Sequence, residues 1–412
     1  MLRTWFALSL WKRVLIAVVL GFVAGILLGE QAASIKWIGD LFIRAIKMLV
    51  VPLIFFSLVS GITAVGDIGR LGRVGGRALL LFMTTALVSV SLGMGLATLV
   101  QPGANLAIEL PAGSVVPAAP DQSLVAMIVG LVPDNPVMAM AQGSILPVIV
   151  FSVLLGISLL VTGEDAAPLT RIMNAGSSVM QTMTIFVMEL TPFGVFALIA
   201  WVIGTFGFEA LVPLAKLVAL NYLGCALILG LLYPLILRTI ARLPVRDFYR
   251  GIIDAQAVAF STASSNAALP VTLRCVERNL GVSNAVASFT VALGATINMN
   301  GTAMYLGVIA LFGAQAYGIE LHWLSYALIA LTSTLGAIGA AGVPGSGLVM
   351  MSLVLSTIGV PLETIAFVAG INHILDMART MTNVTGDAVV AVAVGRMAGE
   401  IDIAEYVSAD DV

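Results

Sequence analysis

Charged residues are scarce in this 412-residue chain, which has 19 lysines and arginines and 22 aspartates and glutamates. They make up 10% of the residues, whereas a soluble domain carries about 25%. Hydrophobic residues make up 60% and are distributed along the whole length. This composition argues against a soluble globular protein and predicts an all-α membrane protein that crosses the bilayer several times.

Cysteine and histidine are also rare, with two residues of each. Cys225 and Cys275 both lie in apolar sequence, and two cysteines support neither a disulfide framework nor a metal centre. The net charge of −3 does not indicate a nucleic-acid partner, and none is expected. The N-terminal segment lacks a small-residue cleavage site before a polar mature chain. We therefore interpret it as a first membrane helix rather than a signal peptide.

Apolar stretches up to residue 240 predict a series of membrane spans. They cover residues 12–29, 39–64, 78–100, 123–162, 170–204 and 208–240. The segment QPGANLAIELPAGSVVPAAPDQS is rich in proline and polar residues, which predicts an exposed loop. Basic residues cluster at Lys12–Arg13, Arg70–Arg77 and Arg238–Arg250. By the positive-inside rule these ends are cytoplasmic, and so are both termini, including the acidic tail EIDIAEYVSADDV.

Two later segments are too short to cross the membrane. In GIIDAQAVAFSTASSNAALPVTLRC the apolar stretch stops at STASSN, too early to span a hydrocarbon core of about 30 Å. SYALIALTSTLGAIGAAGVPGSGLVMMSLVLSTIGV repeats this pattern, with a Gly/Pro-rich tip at Ala341–Gly347. Between them, a long apolar stretch is interrupted by NMNGT at Asn298–Thr302. These interruptions predict two re-entrant hairpins and an inverted repeat with a binding site between its halves. A pair of kinked spanning helices is the alternative.

The last predicted helix, in INHILDMARTMTNVTGD, carries polar residues that the rest of this apolar chain mostly lacks. At about 100° per residue, its polar groups share one stripe about 100° wide. The stripe consists of Asn372, Asp376, Arg379, Thr380, Asn383 and Asp387. A charge at the bilayer centre costs at least about 2.5–3.5 kcal/mol, so these charged groups must be paired, hydrated or liganded.

This pattern fits an acidic, zwitterionic ligand. Arg379 offers a planar fork to a carboxylate, and Asp376 offers a counter-charge to an ammonium group. Asn383 and Thr380 offer neutral hydrogen bonds, and Asp387 suits a bound cation. Hairpin tips present free backbone N–H groups to a second carboxylate, and unwound NMNGT exposes carbonyl oxygens suited to Na⁺. A structural Asp376–Arg379 ion pair is the alternative, but it explains neither Asp387 nor the polar tips.

Four motifs carry a resemblance to a known family. STASSN, GATINMNGT, GAAGVPGSG and LDMARTMTNVTGD occur in the order and with the spacing found in the dicarboxylate/amino acid:cation symporters, the glutamate transporter family. ILPVIVFSVLLGISL and TPFGVFALIAWV extend the resemblance over nearly the whole chain. It implies a homotrimer whose protomers have eight transmembrane helices and two re-entrant hairpins. It also implies an elevator mechanism, in which a transport domain moves against a scaffold and the second hairpin is the gate.

The resemblance implies a division of the chain between these two parts. Residues 1–77 would form scaffold helices one and two, and residues 78–122 helix three of the transport domain with the polar loop. Residues 123–204 would form scaffold helices four and five. Residues 205–412 would complete the transport domain with helix six, hairpin one, helix seven, hairpin two, helix eight and the acidic tail. The expected location is a bacterial or archaeal inner membrane, in contact with lipid.

The resemblance also implies residue roles. Arg379 would bind the side-chain carboxylate of L-aspartate or L-glutamate, and Asp376 its amino group. Further substrate contacts would come from Ser264, Ser265, Thr302, Val343, Pro344, Gly345, Thr380 and Asn383. One Na⁺ would be bound by Gly294, Asn298, Asn383 and Asp387. A second would be bound by Thr296, Met299, Ala337, Ile338 and Ala340, and no other cofactor is implied.

The sequence departs from the family pattern at the third cation site. Asn300 stands where an aspartate is normal, and Phe82, Thr85 and Ala86 align with Tyr, Thr and Ser. An aspartate is also usual at the position of Asn372. Because two carboxylates and two hydroxyls are missing, we predict fewer than three bound Na⁺, or weak coupling to sodium.

Further departures concern protons and the substrate. Leu306 aligns with a proton-binding glutamate of animal members, and Ala263 and Met377 replace a basic residue near the substrate. His373 titrates near neutral pH and is a candidate proton carrier, although a lone histidine at a helix edge more often has a structural role.

Other functions remain open alternatives. The first is proton-coupled, sodium-independent transport of an acidic amino acid or a C4-dicarboxylate. The second is an anion channel, which the lack of a continuous polar pore disfavours. The third is an intramembrane enzyme, which is disfavoured because Ser264 and Ser265 have no His or Lys base nearby in sequence.

Overall fold

The computed structural model describes residues 8, 10–63, 70–104, 106, 129–207, 211–340, 342 and 345–408. In these residues the regular secondary structure is helical, apart from an isolated β-bridge between Val282 and Ile401. Helical stretches that are long and apolar enough to span a membrane occur at Lys12–Thr63, Val74–Val100, Leu146–Met188, Val212–Ala241 and Asn284–Ala316. The expected all-helical architecture with several apolar membrane helices is confirmed, whereas the count of eight transmembrane helices stays a prediction.

The N-terminal half is built mostly from long helices, several of which pack closely. They are α1 (Leu10–Leu28), α2 (Lys36–Thr63), α3 (Arg70–Val100), α4 (Pro136–Gln142), α5 (Ile145–Thr162), α6 (Ala167–Met188) and α7 (Thr191–Phe206). A β-carbon at Gly21 would lie 2.6 Å from the carbonyl oxygen of Phe196, and one at Gly25 would lie 2.8 Å from that of Ala200. Both contacts advance by four residues, so α1 and α7 run in parallel, and glycine allows their close approach.

The stretch 170–204, predicted as one span, consists of two helices. α6 ends at Met188 and α7 begins at Thr191, with a proline in its first turn, where the missing N–H needs no helical partner. At this break Arg13 Nη1 lies 2.6 Å from Glu189 Oε2 in an ion pair. The stretch 123–162 is likewise divided between α4 and α5. Residues 107–123 of the predicted polar loop lie outside the described residues.

The C-terminal half contains the interrupted elements that the sequence predicted. Its helices are α8 (Leu211–Leu227), α9 (Tyr233–Ile236), α10 (Val245–Thr262), α11 (Ser265–Arg274), α12 (Asn284–Ile297), α13 (Asn300–Ala316), α14 (Trp323–Gly339), α15 (Ser346–Thr357), α16 (Thr364–Ala369), α17 (Asn372–Ala398) and α18 (Ile403–Tyr406). The first hairpin, α10–α11, turns at Ala263 and Ser264, and the α12–α13 pair is unwound at Asn298 and Met299.

The second hairpin, α14–α15, has its tip between Gly339 and Ser346. Gly345 has a φ of +83°, a backbone conformation that favours glycine. Ala341, Val343 and Pro344 lie outside the described residues, so the expected substrate contacts at Val343 and Pro344 stay predictions.

Helix α17 forms the centre of the C-terminal half. It contacts α8, α10, α12 and α13, and most of its residues from Asn372 to Gly395 are buried. Leu375, Val384 and Ala388, on the apolar face, are buried against protein. The polar stripe of α17 therefore lies inside the protein, where its groups must find partners or ligands.

Candidate functional site

Arg379 and Asp376 form an ion pair within α17. Arg379 Nη2 lies 2.8 Å from Asp376 Oδ1, and the arginine side chain is fully buried. Both residues belong to one helix, so the pair does not by itself join two helices. Asp376 Oδ2 also accepts a hydrogen bond of 2.8 Å from the backbone N–H of Gly345 in the second hairpin. One carboxylate thus binds both the arginine and the hairpin tip.

The guanidinium of Arg379 is held in place by three neighbours. Its Nη2 donates to Asn372 Oδ1 at 3.1 Å, and its Cζ lies 3.8 Å from the ring centroid of Tyr305. The Tyr305 hydroxyl donates to the same Asn372 oxygen at 3.3 Å. A β-carbon at Gly347 would lie 2.6 Å from Nη1, so only glycine leaves room for the guanidinium there. This packing orients a flexible side chain before any ligand arrives.

Two N–H groups of Arg379 remain available to a ligand. Its Nε and Nη1 are buried and have no hydrogen-bond partner among the described residues. Buried donors of this kind are normally satisfied, and an unsatisfied charged donor destabilises the empty site. Each of these donors can give a charge-assisted hydrogen bond to a carboxylate oxygen. The expected role of Arg379 as a carboxylate ligand is consistent with this geometry.

The tips of the two hairpins contact each other. Ser264 Oγ donates to the carbonyl of Gly342 at 2.8 Å, and the Asn266 N–H donates to the same oxygen at 3.0 Å. Ser264 Oγ also caps α11 by accepting the Ala267 N–H at 3.2 Å. An enzyme nucleophile would require a hydrogen bond to a base. The Ser264 hydroxyl is instead bonded to backbone groups. Ser265, the first residue of α11, is buried beside it.

Asn383 ties α17 to the start of α13. Its Oδ1 accepts the Gly301 N–H at 2.8 Å, and its Nδ2 lies 3.3 Å from Thr302 Oγ1 and 3.1 Å from Met299 Sδ. Thr380 is also buried, one turn after Asp376. Thr302, Thr380 and Asn383 therefore lie at the junction of α13 and α17. Their role as the neutral part of the substrate site stays a prediction.

Two of the residues expected at the first cation site, Gly294 and Asn298, lie against Asp387, and Asn383 lies one turn before it on α17. Asn298 Nδ2 donates to Asp387 Oδ1 at 2.9 Å, and a β-carbon at Gly294 would lie 2.5 Å from that oxygen. Asp387 is almost completely buried, and Asn298 Oδ1 has no hydrogen-bond partner among the described residues. An acidic oxygen beside a free amide oxygen is a hard donor set that suits Na⁺.

The residues expected at the second cation site contact different partners, and among the described residues they share no hydrogen bond with one another apart from that between Ala337 and Ala340. Met299 Sδ is already bonded to Asn383, and the Ala337 carbonyl accepts the Ala340 N–H at 3.2 Å. Ile338 and Ala340 are buried at the end of α14. Thr296 lines a cavity of about 270 Å³ between α2, α6 and α12. The convergence of these groups on one ion stays a prediction.

Asn300 belongs to a neutral hydrogen-bonded chain. Its Nδ2 lies 3.0 Å from the hydroxyl of Tyr233, which donates to the carbonyl of Thr382 at 2.9 Å. Thr85, the hydroxyl that remains on α3, is bonded to carbonyls of its own helix at Leu81 and Phe82. Phe82 and Ala86 are buried. The groups around Asn300 are thus neutral, and Asn300 Oδ1 has no hydrogen-bond partner among the described residues.

The other positions singled out in the sequence lie in packed surroundings, and the role of His373 as a proton carrier stays a prediction. Leu306 is fully buried near Gly336, and Ala263 ends α10 with a φ of +50°. His373 and Met377 line an apolar crevice of about 320 Å³ that also includes Val14 of α1.

Sequence reasoning missed Tyr233 and Tyr305 as members of the site. Each is a fully buried tyrosine with apolar residues around it in sequence, and a buried hydroxyl needs a hydrogen-bond partner. That was the one signal in the sequence that could have identified them.

Comparison with known proteins agrees with this geometry. A model of the sodium:dicarboxylate symporter family matches residues 10–397. A proton/glutamate-aspartate symporter of Escherichia coli (strain K12) is 37% identical over 412 residues, covering 96% of this chain and 94% of the relative. A proton/sodium-glutamate symport protein of Bacillus caldotenax is 33% identical, covering 92% and 93%. A C4-dicarboxylate transport protein of Rhizobium johnstonii is 34% identical, covering 98% and 92%. All of these relatives are named as transporters rather than enzymes.

Proposed function

The chain belongs to the sodium:dicarboxylate symporter family, and from this premise we propose that it is a secondary active symporter for L-aspartate or L-glutamate. The observation that carries the proposal is the Arg379–Asp376 pair. Among the described residues the Nε and Nη1 donors of Arg379 have no partner and can bond to carboxylate oxygens, and Asp376 supplies the negative charge that an ammonium group needs. A zwitterionic acidic ligand satisfies both.

A C4-dicarboxylate is the second candidate substrate, because relatives named for it are about as similar as those named for glutamate. Such a ligand has no ammonium group to offset Asp376. A neutral amino acid would leave the buried Nε and Nη1 donors of Arg379 unsatisfied, which costs about 1–3 kcal/mol or more for a charged group. The charges of the site therefore favour an acidic amino acid over both.

Uptake of radiolabelled aspartate into proteoliposomes tests this proposal. We expect uptake that saturates, concentrates the label against its gradient, and is inhibited by glutamate and aspartate but not by alanine. A channel would equilibrate the label without concentrating it. If succinate competes as well as aspartate does, the substrate is a C4-dicarboxylate and the acidic amino acid assignment is wrong.

We infer that fewer than three Na⁺ accompany the substrate. The Asp387 site keeps a carboxylate, but the third site has a neutral Asn300–Tyr233–Thr382 chain that supplies no compensating charge to a buried ion. Titration of aspartate binding with Na⁺ at constant ionic strength measures this directly. An apparent affinity that rises with about the third power of the Na⁺ concentration would contradict the inference. A flat response, with uptake driven by an inward pH gradient alone, would identify H⁺ as the coupling ion.

We also propose the elevator arrangement and the homotrimer that the resemblance implies, with both termini in the cytoplasm. A β-carbon at Gly61 would lie 3.6 Å from Cγ1 of Ile297, so the broken helix lies against the last turn of α2. The basic segment Arg70–Arg77 follows this turn and marks the cytoplasmic side. The transport domain would then lie at the inward end of its movement. Exposed apolar residues of α5 and α6, such as Val161 and Phe186, offer a surface for subunit or lipid contacts.

A further inference from the structure

Met188, the last residue of α6, contacts the tip of the second hairpin. A β-carbon at Gly345 would lie 2.3 Å from Met188 Sδ and 3.1 Å from its Cγ. Real β-carbons do not approach other atoms so closely, so the contact exists because Gly345 has no side chain. The methionine is 3% exposed, which leaves its side chain packed against the hairpin backbone.

Gly345 thus has two neighbours that restrain it. Its N–H donates to Asp376 Oδ2, and Met188 packs where a side chain at this position would lie. Beyond the tip there is a cavity of about 20 Å³, lined by residues that include Met188, Thr191 and Val14. That space admits about one water molecule and no side chain. Movement of Gly345 in the direction of its missing side chain therefore requires that Met188 moves or that the two parts of the protein separate.

The position of Met188 is itself fixed. Thr191 Oγ1 lies 3.8 Å from Met188 Sδ across the break between α6 and α7. The next residue, Glu189, forms the ion pair with Arg13 of α1, which is 4% exposed. These contacts anchor the methionine to the N-terminal half of the chain, although methionine is otherwise an adaptable side chain.

We propose that Met188 is a positioning residue that holds the second hairpin closed over the site. It acts through Gly345 and does not touch the substrate. The hairpin can then release its hold on Asp376 only when the helices that carry the site move away from α6. This inference rests on the proposed function, because it assigns the opening of the second hairpin to the transport cycle. A residue that only packs would affect stability and leave the opening of the hairpin unchanged.

The rate at which a thiol at the hairpin tip reacts with a maleimide tests whether Met188 holds the hairpin closed. A reporter thiol is placed next to the tip by Ser346→Cys in protein whose native cysteines are replaced by Cys225→Ala and Cys275→Ala. The rate of maleimide labelling is measured without substrate and with saturating aspartate. We expect Met188→Ala to raise the substrate-free labelling rate about tenfold. The reason is that loss of the Met188 contact should lower the ratio of closed to open hairpin by about that factor.

Matched variants distinguish the effect of the Met188–Gly345 contact from the effect of losing any buried methionine of α6. Met180→Ala removes another buried methionine of the same helix, two turns earlier, and Met188→Leu keeps the volume of the side chain. Both should label within about twofold of the parent, since the contact with Gly345 remains. If Met188→Ala does not fold, Met188→Val replaces it in this comparison. Valine is larger than alanine, so the labelling rate of Met188→Val should lie between those of the parent and a full loss of the contact. Thermal unfolding midpoints of Met188→Ala and Met180→Ala should fall by similar amounts.

Equal labelling rates in Met188→Ala and Met180→Ala would show that Met188 does not hold the second hairpin closed. This comparison is made in substrate-free protein, so it does not depend on the identity of the ligand. If aspartate fails to protect the thiol in the parent protein and fails to bind, the proposed substrate is wrong, while the comparison of methionine variants still decides the role of Met188.

Discussion

At the scale of single residues, the proposed substrate site depends most on Arg379. Replacing it with alanine removes the carboxylate ligand and leaves Asp376 with a buried, uncompensated charge. We expect Arg379→Ala to weaken aspartate binding by about a hundredfold or more. Arg379→Lys keeps the charge without the planar fork and should retain the fold but not the affinity. Isothermal titration of purified protein measures both, and near-normal binding by either variant would contradict the assigned role.

Asn300 offers a second prediction at the same scale. Asn300→Asp places a carboxylate beside Tyr233, whose hydroxyl can donate to it, and restores the charge that a third Na⁺ needs. The logarithmic slope of aspartate affinity against Na⁺ concentration should rise by about one. Asn300→Ala is the control, because it breaks the hydrogen-bonded chain without adding charge, and its slope should match the parent. An unchanged slope in Asn300→Asp would show that the site cannot bind sodium.

Sequence periodicity predicted which side chains share a face of α17 but not what each of them contacts. The spacing brought Asp376 and Arg379 together, and the structure pairs them at 2.8 Å. Tyr233 and Tyr305 come from α9 and α13, and no periodic pattern relates them to α17. Long-range pairs of this kind depend on how helices pack in three dimensions, which a one-dimensional pattern does not encode.

At the scale of elements, the interrupted helices were predictable and one helix break was not. The tips and the unwound Asn298–Met299 contain Gly, Pro, Ser or Asn, which favour non-helical backbone. The break between α6 and α7 lies in an apolar run, MELTPFG, where hydrophobicity alone indicates a continuous span. Glu189 and Pro192 were the available signals, because a charge and a proline both mark helix ends.

The C-terminal segment fastens the base of the first hairpin. Tyr406 of α18 is fully buried and donates to the carbonyl of Pro244, at the start of α10, at 2.9 Å. The Asp402 N–H donates to the Gly281 carbonyl at 2.7 Å, which holds the chain beyond α11 as well. Both ends of the first hairpin are therefore attached to the end of α17, so this hairpin should move as one body with α17.

Tyr406→Phe tests this attachment. It leaves the Pro244 carbonyl without its buried donor and should destabilise the segment locally by about 1–2 kcal/mol. We expect faster amide hydrogen exchange at the start of α10 and at residues 400–408, with little change in α14 and α15. Ile403→Ala alters an exposed side chain of the same short helix and should leave exchange unchanged. Equal protection in the tyrosine variant and the parent would mean that the hydroxyl does not hold the segment.

At the scale of the whole molecule, the proposed elevator movement depends on contacts between the two halves of the chain. The assignment of residues 1–77 and 123–204 to a scaffold came from the resemblance, since composition is apolar throughout and marks no boundary. The contact of Ile297 with Gly61 and that of Gly345 with Met188 each join a proposed transport element to a proposed scaffold element. If the elements slide past each other during transport, both contacts must break in each cycle.

A reversible cross-link between α2 and α12 tests that movement. A β-carbon at Gly61 would lie 3.6 Å from Cγ1 of Ile297, where the sulfur of a cysteine at that position would lie. In a disulfide the β-carbon of one cysteine lies about 3 Å from the sulfur of the other, so a shift of less than about 1 Å lets Gly61→Cys and Ile297→Cys oxidise. The oxidised protein should still bind aspartate, because the pair lies outside the proposed substrate contacts, but it should transport none. Reduction should restore uptake, and each single cysteine variant should transport with or without oxidant. Full uptake by the cross-linked protein would show that these two helices stay together throughout the cycle, and the elevator proposal would be wrong.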